Sequence, residues 1–327
     1  MNKGWAGARE TLRTVWQRWV GTAACVATAV LSAVVAAWIG ARSQQTSLGQ
    51  AIDENAMDAV AGSDAGLARM VGLLGTISIV SIAVALVALI AVAAVRKRYA
   101  AAVAAVVLVV GANVTTQVFK RVLDRSDFGN LTVHSFPSGH TTVVVSVVLA
   151  ALLVAPRAAR PLASLVGSGV ITVVAAATIM AGWHRPSDVI GATLVALAWG
   201  SAVVALWGLA HGGVPLPPPG AHRLFAIVGV VLGSVLLVVA GMRPGSGWSG
   251  FLDASVVLFV LGLVSGLTVT VFAHLSSATA EAEVTNTDLR RIWQTRATED
   301  SLPPVGIENW PWDEDDRPEP RTGPGAG

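Results

Sequence analysis

Long apolar runs broken by short charged stretches organise this chain. Eight such runs stand out, at Val20–Ile39, Leu67–Val95, Ala100–Phe119, Thr141–Ala155, Leu162–Gly182, Val189–Ala210, Leu224–Gly241 and Phe251–Ala273. A helix that crosses the hydrocarbon core of a bilayer needs about 20 mostly apolar residues. The pattern therefore predicts an all-α protein, a polytopic bundle of eight transmembrane helices. The fourth run starts on polar residues (Ser138, His140, Thr141, Thr142), and the second is long enough to tilt. The first run exceeds the apolar core of a cleaved leader, and no small-residue cleavage site follows it, so it reads as an anchor.

Composition agrees with lipid as the solvent. The 327 residues are 54% hydrophobic and only 13% charged, where soluble domains carry about 25% charged residues. The apolar mass is Ala, Val, Leu and Gly, which lets helix backbones approach closely. A single cysteine, Cys25, excludes an internal disulfide and a cysteine-based metal site. Neither a metal nor a cofactor is called for, and nothing supports nucleic-acid binding.

Charge gives an orientation. Lys3, Arg9, Arg13 and Arg18 precede the first run, Arg96, Lys97 and Arg98 follow the second, Arg157 and Arg160 follow the fourth, and Arg223 follows the sixth. All fall on one side, which the positive-inside rule makes cytoplasmic, along with both termini. The loop at 43–66 holds Asp53, Glu54, Asp58 and Asp64 without Lys or Arg, which suits the outside. Residues 1–275 carry 17 Lys/Arg against 9 Asp/Glu, and residues 276–327 carry 5 against 11. From about Ser276 the chain changes character. Glu281–Arg296 can form a short amphipathic helix, and the Pro-rich, acidic end around Asp313–Asp316 reads as disordered.

Three polar clusters fall on the same outer side. Lys120, Arg121 and Arg125 close the third run, Pro137-Ser138-Gly139-His140 opens the fourth, and His184-Arg185-Pro186-Ser187-Asp188 opens the sixth. Lys120 shares a helical face with Asn113 and Gln117, a face expected to point into the bundle. Lys and Arg are the usual holders of phosphate oxygens, although alone they equally suit a basic collar at the membrane boundary. Ser138 is a preferred N-cap, Gly139 allows close approach of a ligand, and the free amides of a helix start attract anions. His184 and Asp188 are four apart and can stack on one helical face, the carboxylate fixing the imidazole tautomer. Each pair read alone is also an ordinary helix cap. Together the clusters supply two histidines, a carboxylate, two cations and a helix N-terminus, the parts that phosphoryl transfer through histidine uses. Trp183 reads as an interface anchor, Thr115 and Thr116 as packing residues, and Asp253 as a helix-start carboxylate within reach of Arg243.

At these positions the chain resembles the type 2 phosphatidic acid phosphatase (PAP2) superfamily, in its membrane-bound lipid phosphatase branch. The family's motifs are K-x6-R-P, P-S-G-H and S-R-x5-H-x3-D. The second stands intact as Pro137–His140, and the end of the third as His184-x3-Asp188. The resemblance implies a six-helix core over residues 20–210. The remaining segments are a cytoplasmic stretch at 1–19, two additional helices at 211–275 and a cytoplasmic tail at 276–327. It implies that His184 is the nucleophile that becomes phosphohistidine, that Asp188 orients it and that His140 is the general acid. Lys120, Arg125, Ser138 and Gly139 would hold the phosphate, with Arg121, Arg185 and Pro137 in support, and no metal or cofactor is needed.

Two of the motifs depart from the family pattern. Asp127 stands where the first motif has Arg, and Arg125 lies two residues earlier. Ala177 and Thr178 stand where the third motif has Ser-Arg. The expected activity is hydrolysis of a lipid phosphate or diphosphate at the non-cytoplasmic face of a bacterial plasma membrane. Polyprenyl diphosphate, phosphatidic acid and phosphatidylglycerol phosphate are the candidate substrates. The missing Arg keeps a second reading in play, a lipid-phosphate-binding pseudoenzyme or scaffold. A transporter fits less well, because transport sites lie near the bilayer midplane on broken helices.

Overall fold

A computed structural model describes residues 3–60, 68, 71, 72, 74–77, 79–128, 136–215, 220–239 and 250–299; side chains are described from residue 13 to 277 of these, Ile79 apart. Nine α-helices and no strands occur among the described residues: α1 (Lys3–Gln45), α2 (Ser47–Ala59), α3 (Ile79–Val95), α4 (Tyr99–Val122), α5 (Gly139–Val154), α6 (Arg160–Met180), α7 (Pro186–Ala210), α8 (His222–Val239) and α9 (Phe251–Glu299). Six helical stretches are long and apolar enough to cross a membrane, and Val80–Val95 and Gly139–Val154 are shorter apolar helices. The all-α expectation holds, as in a multi-pass membrane protein.

Three elements differ from the sequence reading. The run from Leu67 to Val95 is not one helix: Thr76 lies in a turn, Ile77 N–H donates to Leu74 O, and the regular helix starts at Ile79. Gly72, Gly75 and polar Thr76 weaken the helix there. The loop at 43–66 is largely the helix α2, whose N-cap Thr46 accepts from Gly49 N–H through Oγ1. The amphipathic stretch Glu281–Arg296 is part of α9. The Pro-rich acidic end, Arg243 and Asp64 lie outside the described residues. The chain divides into two units, Met1–Glu281 and Ala282–Gly327; the described part of the second, up to Glu299, is helical.

In the first unit, α7 packs against α1, α2, α4 and α5, and α6 packs against α5 and α8. Outward positions are apolar, for example Val80, Val84 and Val87 on α3 and Leu224, Ile227 and Val231 on α8. Inside, hydroxyls return to their own helices: Thr172 to Ser168 O, Thr193 to Val189 O and Ser265 to Leu261 O. Bonds of this kind satisfy a hydroxyl where water is absent.

Small residues set the spacing of α6 and α8. A Cβ at Gly229 would lie 2.0 Å from Leu165 O, and one at Gly233 would lie 2.8 Å from Gly169 O. Ser168 Oγ donates to Ala226 O at 2.8 Å across the same contact. Close backbone approach of this kind is how helices associate in lipid, where no hydrophobic force draws them together. Gly229→Val should therefore separate the pair and lower the thermal midpoint in detergent by several degrees. Gly75→Ala, where a Cβ meets nothing within 4 Å, should leave the midpoint unchanged.

Candidate active site

The three polar clusters meet at one end of the bundle. Between α6 and α7 the chain turns on Gly182, whose φ of +69° is the left-handed conformation that glycine adopts at a helix C-terminus. Trp183 N–H and His184 N–H both donate to Thr178 O, at 3.1 and 3.2 Å. This turn presents His184 ahead of α7. Arg185 caps that helix, and its N–H donates to Asp188 Oδ2 at 3.0 Å. His184 Nδ1 lies 3.4 Å from the same Oδ2. The contact is an ion-pair distance without hydrogen-bond alignment, since Nδ1 has no hydrogen-bond partner. The pairing foreseen as two residues on one helical face thus arises differently. His184 lies outside the helix, and one carboxylate serves both the cap and the imidazole.

The start of α5 is tied to the start of α7 by Ser138 N–H donating to Asp188 O at 2.9 Å. Ser138 is the N-cap, its Oγ accepting from Thr141 N–H at 3.3 Å. Thr142 Oγ1 donates to Ser138 O and also meets Thr116 Oγ1 at 2.9 Å, which joins α4 to the same corner. Before the cap, Phe136 is fully buried between α1 and α7. A Cβ at Gly40 or Gly191 would come within 2.6 or 2.4 Å of its ring. Phe119 of α4 meets that ring edge-on at 6.1 Å.

These ties bring the imidazoles of His140 and His184 to 6.4 Å between centroids, with Trp183 at 5.3 Å from His140. Lys120 reaches over the helix start: a Cβ at Gly139 would meet its Nζ at 3.7 Å. The inward face of α4 differs from the expected one, because Gln117 is exposed and Thr116 is buried in its place. Asn113 is half-buried, donating to Val109 O at 2.7 Å, and Thr115 Oγ1 accepts from Trp199 Nε1. Arg125 is brought in, its side chain 6% exposed and 3.4 Å from Glu54 Oε1. Burial, then Arg185, lowers the Arg125 pKa, opposed by Glu54, Asp188 and Asp53. Arg185 and Pro137 are buried at the cluster, whereas Arg121 is exposed at the end of α4. Thr178 is fully buried, its hydroxyl donating to Ala175 O. Asp253 is exposed.

Residues 101–210 match the family model described as the PAP2 superfamily. This segment belongs to the PAP2 superfamily. No curated protein and no solved structure matches the chain. The PAP2 segment runs from α4 to the end of α7 and contains all three clusters. Among the described residues, no group of three or more His, Cys, Asp or Glu is placed to hold a metal ion.

Part of the site comes from outside the PAP2 segment, and sequence reasoning missed it. Asp53 of α2 is buried and accepts from Ser187 N–H at 3.1 Å and from the Ser187 hydroxyl. It thereby fixes the first turn of α7, next to His184. Gln50, one turn earlier, donates through Nε2 to Gln44 O at 3.0 Å and to Ser126 O at 2.8 Å, and so holds the loop that carries Arg125. Gln50 and Asp53 are buried while Leu48 and Ile52 are exposed, so α2 presents its polar face to the protein. That i, i+3 polar pair was the available signal.

Burial raises the Asp53 pKa from 3.8 to about 6, against the opposing pull of the Ser187 hydrogen bonds. A carboxyl whose folded pKa is raised stabilises the fold most at low pH, and that contribution disappears as pH rises through the folded value. The stability difference between wild type and Asp53→Asn should therefore shift in favour of Asn from pH 5 to pH 7.5, by about 1.4 kcal/mol. Thermal unfolding of both proteins in detergent across that range checks it.

Proposed function

We propose that this protein is a metal-independent phosphatase of a lipid phosphate or diphosphate, acting through a phosphohistidine at the non-cytoplasmic face of a bacterial plasma membrane. Both termini are then cytoplasmic. The observation that carries the reading is the pairing of His184 Nδ1 with Asp188 Oδ2 at 3.4 Å, with the His140 ring facing His184. The PAP2 match over the same residues supports phosphatase chemistry.

In this mechanism Asp188 holds His184 through Nδ1, so Nε2 carries the lone pair that attacks phosphorus. The bond from phosphorus to the leaving oxygen breaks as the N–P bond forms, and His140 protonates that oxygen. Water then attacks the phosphohistidine, His140 takes its proton, and phosphate leaves. Lys120, Arg125 and the amides at Ser138–Gly139 hold the equatorial oxygens. Arg185 takes the place of the guanidinium absent at Thr178. It is buried and acts electrostatically on both Arg125 and Asp53. Polyprenyl diphosphate, phosphatidic acid and phosphatidylglycerol phosphate are the substrate candidates.

One observation favours a second reading, a lipid-phosphate-binding pseudoenzyme. Thr178 spends its hydroxyl on its own helix, so position 178 gives the site no cation. Phosphate release from a lipid panel in EDTA separates the two. The phosphatase reading expects turnover by wild type and about a thousandfold loss in His184→Ala or Asp188→Asn. Arg185→Gln should cost about a hundredfold. Folded protein that binds the lipids and releases no phosphate establishes the pseudoenzyme.

A further inference from the structure

The opposite end of the membrane unit carries a cluster of buried and half-buried basic side chains, one guanidinium and two imidazoles. Helix α6 begins at Arg160 and has 21 residues, so at 1.5 Å per residue this end lies about 30 Å from His184. Arg160, at the start of α6, is 5% exposed, and His222, at the start of α8, is 7% exposed. His274 of α9 is half-buried, with its ring centroid 6.1 Å from that of His222. Arg160 donates through NH2 to Ser276 O at 2.9 Å and through Nε to Ala155 O at 3.4 Å, which leaves NH1 buried without a hydrogen-bond partner. His222 Nε2 and His274 Nδ1 are likewise buried without one.

A collar of basic residues at a membrane boundary accounts for Arg96, Lys97, Arg157 and Arg223, all exposed at this end. It does not account for Arg160 and His222, which are enclosed by protein. A buried guanidinium is costly unless an anion neutralises it and its remaining N–H groups are used. His274, Arg223 and Arg160 act electrostatically on His222, and among the described residues no carboxylate does. The connecting stretches at this end, 95–99, 155–160 and 211–223, contain no Asp or Glu. Two helix N-termini, those of α6 and α8, add their positive ends to the same place.

We propose that Arg160, His222 and His274 form a binding site for a phosphate anion, separate from the PAP2 site, that accepts either a lipid headgroup phosphate or free phosphate. The guanidinium supplies the fork and the two imidazoles supply N–H donors, a set suited to a tetrahedral oxyanion.

The test is nitrogen-resolved NMR of the full chain with 15N-labelled histidine. Resonances are assigned with His222→Gln and His274→Gln, and inorganic phosphate is titrated in detergent against chloride of equal ionic strength. A second arm compares nanodiscs with phosphatidylglycerol to nanodiscs with phosphatidylcholine alone. The proposal expects saturable shifts at His222 and His274 and at least tenfold weaker binding in Arg160→Gln. Shifts with inorganic phosphate assign free phosphate as a ligand, and shifts with phosphatidylglycerol alone assign the headgroup. If Arg160→Gln does not fold, His274→Gln takes its place and must weaken the response read at His222. His140 and His184 report the PAP2 site separately in the same spectra, so failure of one site is not mistaken for failure of the other. No shift with either ligand overturns the proposal. A bound-like spectrum without added ligand that is lost on removing residues 300–327 also overturns it, because the chain's own carboxylates then fill the site.

Discussion

The hydrogen bond from Ser138 N–H to Asp188 O joins the first turn of α5 to the first turn of α7. His140 sits in the first turn of α5 and His184 just ahead of α7, so this bond helps to set the separation of the two imidazoles. The Asp188 side chain completes the arrangement: Oδ2 accepts from Arg185 N–H and lies beside His184 Nδ1. One residue therefore caps a helix, binds a neighbouring helix start through its carbonyl and orients an imidazole. Its full burial makes these roles interdependent, because a carboxylate withdrawn from solvent must have its partners supplied by the protein.

Around this corner, packing does what polar contacts alone could not. Phe136 fills the space left by Gly40 and Gly191 and so fixes where the chain enters the Ser138 cap. On the other side, Asp53 holds Ser187 and Glu54 approaches Arg125. The candidate site is built from the PAP2-matched segment and from a helix that precedes it. Glu54 also occupies the cation that the proposed mechanism gives to the phosphate, so ligand and carboxylate compete for one guanidinium.

The two ends of the unit show the same physics with different outcomes. At the His184 end, buried cations face Asp53, Glu54 and Asp188. At the Arg160 end, the buried guanidinium faces backbone carbonyls and lies beside two imidazoles. In a bundle whose exterior is apolar, neither arrangement can be relieved by water from the side, so each must be satisfied by protein or by a bound ion.

Much was legible along the chain because the governing constraints are local. Apolar run length gave the helices, since a spanning segment must meet its backbone hydrogen bonds internally. The Ser138-Gly139-His140 start and the His184–Asp188 spacing marked the candidate chemistry, because caps and near neighbours act over a few residues. Gln117 was misplaced because a polar residue at a helix end can face the boundary as well as the bundle. The polar face of α2 was legible from Gln50 and Asp53, but its partner was not: Asp53 meets Ser187 across 134 positions, and nothing local in either residue names the other. The burial of Arg160 and His222 was equally hidden, since Arg160, Arg157 and Arg223 look alike in sequence. Sequence alone thus determined the long apolar helices and the candidate residues for the chemistry, through periodicity, capping and charge. Tertiary structure alone decided which carboxylate meets which cation and which cations are left for a ligand, because those outcomes depend on how distant helices pack.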